Sequence, residues 1–174
     1  MGLKSSEHIG NILIHPENSD IVYVSAYGPL WNKGGDRGIY KTIDGGKTWE
    51  KILYIDENTG CADIAMEINN PRIMYAGMWT FRRKPWRFDD GGKNTALYRT
   101  MDGGQTWKKI MNGLPNKDMA RPGVHIAQSE PNIIYLMTEF EGGGTAFKSE
   151  DRGENWKMVN AVSYTHLRAH ETKA

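Results

Sequence analysis

The 174-residue chain contains a single cysteine, Cys61, so no disulfide can form within it and cysteine pairing does not indicate a redox compartment. A lone free cysteine usually behaves as a small apolar residue, and we expect Cys61 to be buried. No apolar run approaches the roughly 20 residues that a membrane-spanning helix needs. The formal net charge is only +1, which favours neither nucleic acid nor an anionic membrane as a partner.

Glycine and tryptophan are abundant by contrast, with 20 and 6 residues, and one eight-residue pattern uses both. It occupies residues 42–49, 100–107 and 149–156, and we call it the signature. In every copy a hydroxyl residue comes first, Asp third, Gly fifth and Trp eighth. Recurrence at intervals of about 50 residues is typical of repeat architectures.

Each signature lies between two short strand-like runs and is therefore predicted to form the turn of a β-hairpin. The Asp carboxylate can accept hydrogen bonds from N–H groups of the turn, the fifth-position Gly permits positive φ, and the Trp offers area for packing on a neighbouring sheet. Trp107, in the middle repeat, is expected to pack more tightly than Trp156 in the last. The residues assigned to this structural role, without a ligand, are Thr42, Asp44, Gly46, Thr48, Trp49, Thr100, Asp102, Gly104, Thr106, Trp107, Ser149, Asp151, Gly153, Asn155 and Trp156.

A second pair of strands, rich in β-branched and aromatic residues, precedes each signature and turns at residues 18–20, 70–72 and 130–132. Each repeat is thus predicted to be a four-stranded antiparallel meander. The predicted fold is all-β, with three blades of a larger, incomplete β-propeller, because propellers typically close with about four to eight blades. We place blade 1 at residues 1–56, blade 2 at 57–116 and blade 3 at 117–160, followed by a non-propeller tail at 161–174.

The signature resembles the Asp-box (BNR) repeat of sialidases, sortilin-type VPS10 propellers, xyloglucan-active glycoside hydrolases and photosystem assembly propellers. Within that group, residues 6–10, 34–41 and 57–60 most resemble bacterial sortilin/VPS10-like proteins, many of which are labelled glycosyl hydrolases. The resemblance implies a β-propeller and a periplasmic or secreted parent protein. It does not imply one activity, because unrelated functions share the repeat.

The tail does not continue the repeat. Residues 162–172 resemble the translated sequencing-adapter read-through found at the ends of some metagenome-derived reading frames; the alternative is a short disordered or helical tail. His166 and His170 stand four residues apart, as two zinc ligands on one helix face do, but Leu167 stands where the zincin pattern requires Glu. The sequence therefore predicts neither a metal site nor a cofactor.

In such a meander the signature turns share one face, and the opposite face, here called the loop face, receives residues 27–37, 78–95, 139–145, 56–60 and 113–122. Aromatic rings beside Arg side chains can stack on sugars or bind a peptide and its carboxylates. The candidate ligand-binding residues on this face are Trp31, Trp79, Arg82, Arg83, Trp86 and Arg87. The alternative is that the insertion at residues 78–93 folds on itself or on the next blade, with Trp79 and Phe81 as its small core.

The resemblance favours a fragment of a sortilin/VPS10-like propeller that serves as a protein- or carbohydrate-binding scaffold. It would act with the remaining blades of its parent and bind a peptide, protein or glycan through the loop face. The alternative is part of a xyloglucanase-like or sialidase-like glycoside hydrolase, which needs an acid and a second carboxylate. Nothing pairs any two loop-face carboxylates, so this enzyme hypothesis rests on analogy, with catalytic groups partly in missing blades. The carboxylates are Asp36, Asp63, Asp89, Asp90, Asp118, Glu139 and Glu141.

A third class, an assembly factor for a membrane complex, is favoured by a basic loop face. Four basic residues follow one another closely in the insertion: Arg82, Arg83, Lys84 and Arg87. Such a cluster can bind acidic groups of a protein partner. The sequence therefore leaves three function classes open.

Overall fold

The computed structural model describes residues 2–140 and 143–162, and within these ranges the chain contains strands and no helix. The strands form three sheets that we call blades 1 to 3. Blade 1 comprises β1 (Ile9–His15), β2 (Asn18–Ala26), β3 (Gly38–Thr42) and β4 (Glu50–Leu53). Blade 2 comprises β5 (Thr59–Met66), β6 (Met74–Lys84), β7 (Arg87–Asp90), β8 (Ala96–Thr100) and β9 (Lys108–Lys109). Blade 3 comprises β10 (Gly123–Ile126), β11 (Ile134–Phe140), β12 (Gly143–Ser149) and β13 (Lys157–Val162).

The four main strands of each blade lie side by side in chain order and pair antiparallel. The predicted class, all-β with three four-stranded antiparallel blades, is therefore confirmed. The signatures form the turns between the third and fourth main strands of each blade, as predicted.

Two segments differ from the expected loops. Residues 78–95 are largely a β-hairpin, because β6 continues to Lys84, turns at Pro85 and Trp86, and pairs with β7. In blade 3 the connection over residues 139–145 is mostly strand, since β11 extends to Phe140 and β12 begins at Gly143. Strand β13 also runs two residues past the predicted blade boundary, and residues 163–174 of the predicted tail, with His166 and His170, lie outside the described residues.

The apolar cores lie between blades. Side chains alternate across a strand, so successive residues of β6 face opposite neighbours. Met74 and Met78 belong to a core shared with Tyr23 of blade 1, whereas Tyr75 belongs to a core shared with Leu136 of blade 3. Cys61 is buried in the core between blades 1 and 2, as expected. Each blade is therefore stabilised chiefly by its neighbours.

The signature turn satisfies its own polar groups. In blade 1 the Thr42 hydroxyl donates to Asp44 Oδ1 at 2.7 Å and accepts the Gly46 N–H at 2.9 Å. The Thr48 N–H and hydroxyl donate to the two Asp44 oxygens at 2.9 and 2.6 Å. Blades 2 and 3 repeat these bonds with Asp102 and Asp151, and the fifth-position glycines have φ of 88°, 91° and 84°.

The turn leaves its fourth-position carbonyl free to contact the preceding blade. Tyr23 Oη donates to the Gly103 carbonyl at 3.5 Å, and Lys41 Nζ reaches the same oxygen at 3.4 Å. At the next interface, Tyr75 Oη and Arg99 Nη1 donate to the Arg152 carbonyl at 3.2 and 2.6 Å. We call this pair of donors on one turn carbonyl the interblade latch. It occurs once at each of the two described interfaces.

The structure reverses the expected order of burial for the signature tryptophans. Trp156 is only 3% exposed, lies in the core between blades 2 and 3, and donates from Nε1 to the Ile110 carbonyl at 3.0 Å. Trp107 is half-buried at the edge of the core between blades 1 and 2, and its Nε1 has no partner. The expectation was wrong because a signature Trp packs into the interface with the preceding blade, so a second neighbour on the other side adds nothing.

We predict that Trp156→Ala lowers the free energy of unfolding by about 3–5 kcal/mol, as large-to-small changes of buried tryptophans do. Trp107→Ala should cost less, because its ring is half-buried and its N–H makes no hydrogen bond. Urea denaturation of both variants, followed by circular dichroism, measures the difference. A larger loss for Trp107→Ala would contradict this account of the interfaces.

The signature carboxylates should make the fold acid-sensitive. Hydrogen bonds from the Asn155 side chain and N–H lower the pKa of Asp151 to about 2, and bonds from Thr48 and Thr106 hold the pKa of Asp44 and Asp102 still lower. A carboxylate whose pKa is lower in the folded than in the unfolded state stabilises the fold at pH values above its unfolded pKa of about 3.9. This stabilisation is lost as the pH falls through the folded pKa. Melting temperature should therefore drop steeply between about pH 4 and pH 2.

Asp102→Asn should lower the melting temperature at neutral pH, and the gap to the wild type should narrow as the pH falls towards 2. Calorimetric melting at a series of pH values tests this. The exposed Asp118→Asn serves as the matched control and should leave the gap near zero throughout. A constant gap for Asp102→Asn would refute the electrostatic part of the explanation.

Candidate ligand-binding site on the loop face

A buried arginine organises the connection between β2 and β3. Arg37 is fully buried, and its guanidinium donates to the carbonyls of Gly34, Tyr27 and Asn32 at 3.0, 2.6 and 2.9 Å, and also to that of Pro29. Burial lowers the pKa of Arg37 from its ordinary value. Because backbone oxygens replace the water around the cation, this one side chain fixes the loop that carries Trp31.

Aromatic side chains from blades 1 and 2 pack together next to Arg37. Trp79 stacks on Phe81 with ring centroids 4.3 Å apart, and Tyr27 meets Trp79 edge to face at 5.9 Å. Trp79 Nε1 donates to Asp90 Oδ1 at 2.7 Å, which ties β6 to β7. Phe81 is buried, and its ring lies 5.0 Å from the Arg37 guanidinium. These rings form the small core considered in the alternative interpretation of the insertion.

A cavity of about 330 Å³ opens beside this core, and we call it the aromatic cavity. Arg121 lies over the rings of Tyr27 and Trp79, 5.3 and 5.7 Å from their centroids, and donates to Tyr27 Oη. Trp31 is 55% exposed, so its ring is available to a ligand. The cavity is lined by His8, Tyr27, Leu30, Trp31, Trp79, Arg83, Phe88 and Arg121.

The six predicted binding residues do not all lie in one cavity. Trp31, Trp79 and Arg83 line the aromatic cavity, although Trp79 is only 6% exposed and forms its floor. Arg82 lines a neighbouring cavity of about 530 Å³ and donates to Asn58 Oδ1. Trp86 and Arg87 line neither cavity.

The hairpin formed by β6 and β7, which we call the ribbon, presents Trp86 at its tip, where the ring is 82% exposed. Asp89 pairs with Arg87 and, at 3.4 Å, with Lys84. Arg83 lies over the Phe88 ring, 5.1 Å from its centroid. The ribbon is therefore less basic than its sequence indicates, since one carboxylate offsets two of its cations.

Several lining residues were not identified from sequence. Tyr27 and Arg121 come together although 94 positions separate them, so no local motif could reveal the contact. Arg121 does fall in the connection over residues 113–122 that was placed on the loop face, which was the available signal. Burial raises the pKa of the Tyr27 phenol, which keeps it neutral and able to donate to the Ala62 carbonyl at 3.1 Å.

Four of the loop-face carboxylates are held in structural contacts. Asp36 accepts the Ser5 N–H at 2.8 Å, and Asp63 accepts Asn11 Nδ2 and the Val124 N–H at 3.2 and 3.0 Å. Asp90 binds Trp79, and Asp89 pairs with ribbon cations. Of the remaining candidates, Asp118 lines a third cavity, Glu139 lies in β11, and Glu141 lies outside the described residues. The four held carboxylates are poor candidates for acid and nucleophile.

Among residues 2–140 and 143–162, no three His, Cys, Asp or Glu side chains are grouped so as to hold a metal ion. The same part of the chain has no helix of the length and apolar character that crossing a bilayer requires.

Comparison with curated proteins gives two relatives, while no protein-family model matches the chain. A sialidase of Bacteroides fragilis is 27% identical over 158 residues, and a probable oligoxyloglucan-reducing end-specific xyloglucanase of Neosartorya fischeri is 26% identical over 128 residues. The alignments cover 72% and 70% of this chain but only 29% and 14% of the two enzymes. The chain thus spans less than a third of either relative.

Solved structures with similar folds include an ancestral GH74 enzyme, with a TM-score of 0.65 and 18% identity over 90% of this chain and 19% of that one. YCF48 from Cyanidioschyzon merolae gives 0.59 and 17% identity over 99% of this chain and 45% of its own. YCF48 bound to D1 peptide gives 0.55 over 94% of this chain and 44% of its own. At these identities the likeness concerns the fold alone: the three blades are those of a β-propeller of the kind found in glycosidases and in YCF48.

Proposed function

We propose that this chain supplies part of the carbohydrate-binding surface of a β-propeller glycoside hydrolase. The observation that carries the proposal is the aromatic cavity, where the exposed rings of Trp31 and Phe88 stand beside the guanidinium groups of Arg83 and Arg121. Flat rings stack on the apolar faces of sugars, and guanidinium groups donate hydrogen bonds to hydroxyls and carboxylates. The names of both curated relatives, sialidase and xyloglucanase, support this class.

The size of the cavity suits one unit of a longer glycan. Its volume of about 330 Å³ is near the lower end of the roughly 300–1,000 Å³ typical of ligand pockets. Trp79 forms a rigid floor, since its ring stacks on Phe81 at 4.3 Å and its indole N–H donates to Asp90. A preformed floor lowers the cost of ordering on binding.

We assign this chain a binding role and place no catalytic residue in it. Hydrolysis of a glycosidic bond needs a proton-donating acid and a second carboxylate at a defined separation. Asp36, Asp63, Asp89 and Asp90 already serve the fold through their hydrogen bonds and ion pairs. The catalytic groups of the proposed hydrolase would then come at least partly from other parts of its propeller.

A second candidate function is peptide binding by the ribbon. The observation in its favour is the tip, where Trp86 is 82% exposed and Arg83 and Arg87 stand nearby in the chain. An extended acidic peptide would stack on the Trp86 ring and pair with Arg83, which, unlike Arg87 and Lys84, forms no ion pair with Asp89. The narrower hypotheses of a sortilin/VPS10-like scaffold and of an assembly factor both use such a surface, and the YCF48 structure with a bound peptide has a similar fold.

Trp31→Ala should weaken the binding of xyloglucan oligosaccharides or sialyllactose by about 1–3 kcal/mol, the range for aromatic residues that dominate binding. Its melting temperature should stay near that of the wild type, because the Trp31 ring is 55% exposed. Titration calorimetry with each glycan gives the affinities. Trp86→Ala is the matched control, since Trp86 lines neither cavity and should leave glycan affinity unchanged.

For the second candidate the expected results are exchanged. Trp86→Ala should weaken binding to an acidic peptide by about 1–3 kcal/mol, whereas Trp31→Ala should have little effect. A peptide library and a glycan array probed with the chain and both variants make the comparison. Loss of glycan binding on Trp86→Ala alone would contradict the aromatic cavity as the subsite.

A further inference from the structure

The cavity beside Arg82, which we call the polar cavity, lies on the opposite side of the ribbon from the aromatic cavity. Arg82 pairs with Asp89 across the ribbon, and both side chains line the polar cavity. The next pair, Arg83 and Phe88, faces the other side, because side chains alternate along a strand, and both line the aromatic cavity. The ribbon therefore separates two neighbouring cavities of different chemistry.

The polar cavity, of about 530 Å³, is lined by four cationic and three carboxylate side chains. The carboxylates already have partners. Glu57 binds Lys33 at 2.9 Å, and Asp89 binds Lys84 at 3.4 Å. Asp56 accepts hydrogen bonds from a backbone N–H and from an amide side chain at 2.7 and 2.5 Å. The negative charges of the cavity are thus committed to the protein itself.

The other two cations of the cavity form no ion pair with a described carboxylate. Arg82 donates to two neutral acceptors, Asn58 Oδ1 and, at 3.5 Å, the Trp31 carbonyl, and its Nε has no partner. It therefore uses two of the five N–H groups of a guanidinium. Lys93 is exposed and makes no side-chain hydrogen bond or ion pair within the described residues. Both side chains are available to a negatively charged ligand.

The charge of Arg82 also acts on the buried Arg37. Arg37 donates only to backbone carbonyls, so it too lacks a carboxylate partner. Burial, and then repulsion from Arg82, lower the pKa of Arg37, and the opposing effect of Asp56 is smaller. An anion beside Arg82 would offset this repulsion, because opposite charges close to a protein surface attract.

The loop that carries Trp31 connects the two cavities. Trp31 lines the aromatic cavity, and Lys33, two residues later, lines the polar cavity. Two residues of fully extended chain span at most about 7 Å. A glycan unit that stacks on Trp31 therefore lies close enough for a neighbouring unit to enter the polar cavity.

We propose that the polar cavity binds an oxyanion, the carboxylate or sulfate of an acidic sugar, while a neighbouring unit of the same glycan occupies the aromatic cavity. This inference rests on the proposed function and narrows its ligand class to acidic glycans. The oxyanion accepts hydrogen bonds from the free N–H groups on the Nη atoms of Arg82 and from the Lys93 ammonium. Such charge-assisted bonds are stronger than those to a neutral hydroxyl.

Titration calorimetry with xyloglucan oligosaccharides in three forms tests the proposal. One form is neutral, one has a primary alcohol oxidised to a carboxylate, and one carries a sulfate at the same carbon. At low salt, at least one acidic form should bind about five- to tenfold more tightly than the neutral form, and the tighter of the two identifies the oxyanion. The preference should shrink in about 1 M salt, where the Debye length is only about 3 Å.

Lys93→Gln should reduce the preference for the acidic form about two- to fivefold at an unchanged melting temperature, because Lys93 is exposed and unpaired. Arg82→Gln should abolish the preference, although it also removes the bond to Asn58, so Lys93→Gln is the variant that spares the fold. Lys47→Gln is the matched control. It removes the same charge from an exposed residue of a signature turn, away from the loop face, and should keep the preference.

Equal affinity for all three forms, weakened throughout by Trp31→Ala, would overturn this inference and leave the proposed function intact. A preference that survives both Arg82→Gln and Lys93→Gln would also overturn it. The same holds if Lys47→Gln lowers the preference as much as Lys93→Gln, because net charge and not the polar cavity would then be responsible. Failure of every form to bind would refute the proposed function and, with it, the inference.

Discussion

The interaction on which the rest of the structure depends is the hydrogen bonding of the signature Asp. In each blade its carboxylate accepts the N–H and side chain of the seventh residue and the hydroxyl of the first. A turn that satisfies its own donors can keep one carbonyl for another purpose, and here that carbonyl receives the interblade latch. Local chemistry in eight residues thus determines how two sheets are held together, and the cores between blades follow from that contact.

The blades could be predicted because the residues that define each turn and strand are close together in the sequence. Each signature contains the residues that make the turn and recurs at a similar spacing, and β2, β6 and β11 are recognisable from their β-branched and aromatic residues. The ribbon could not be predicted as easily. Its run of Arg82, Arg83 and Lys84 is typical of a solvated loop, yet pairing with β7 makes it strand. The predicted order of tryptophan burial was wrong, because burial depends on which neighbouring blade each ring packs against. Position in the chain does not reveal that.

The candidate site also combines residues that could be predicted from sequence with residues that could not. Sequence placed Trp31 and Arg83 on the loop face, because topology alone assigns connections to a face. It gave no role to Arg37, whose carbonyl partners lie within ten residues but depend on how the loop is folded. Arg121 and Tyr27 meet across two blades, so their contact follows only from the packing of blade on blade. Exposed residues of the candidate site are thus easier to anticipate from sequence than the residues that hold them in place.

The contacts of Asp63 influence how the three blades unfold. Its two oxygens bind different neighbours, Asn11 Nδ2 in β1 and the Val124 N–H in β10. In a linear array of repeats, each unit senses only the units adjacent to it, and stability is approximately a sum over neighbours. A carboxylate shared by the first, second and third blades adds a link between the two outer ones through a single side chain. When either interblade interface opens, the Asp63 carboxylate loses one of its two hydrogen-bond partners, and the other interface is weakened. This favours unfolding of the three blades as one cooperative unit over fraying blade by blade.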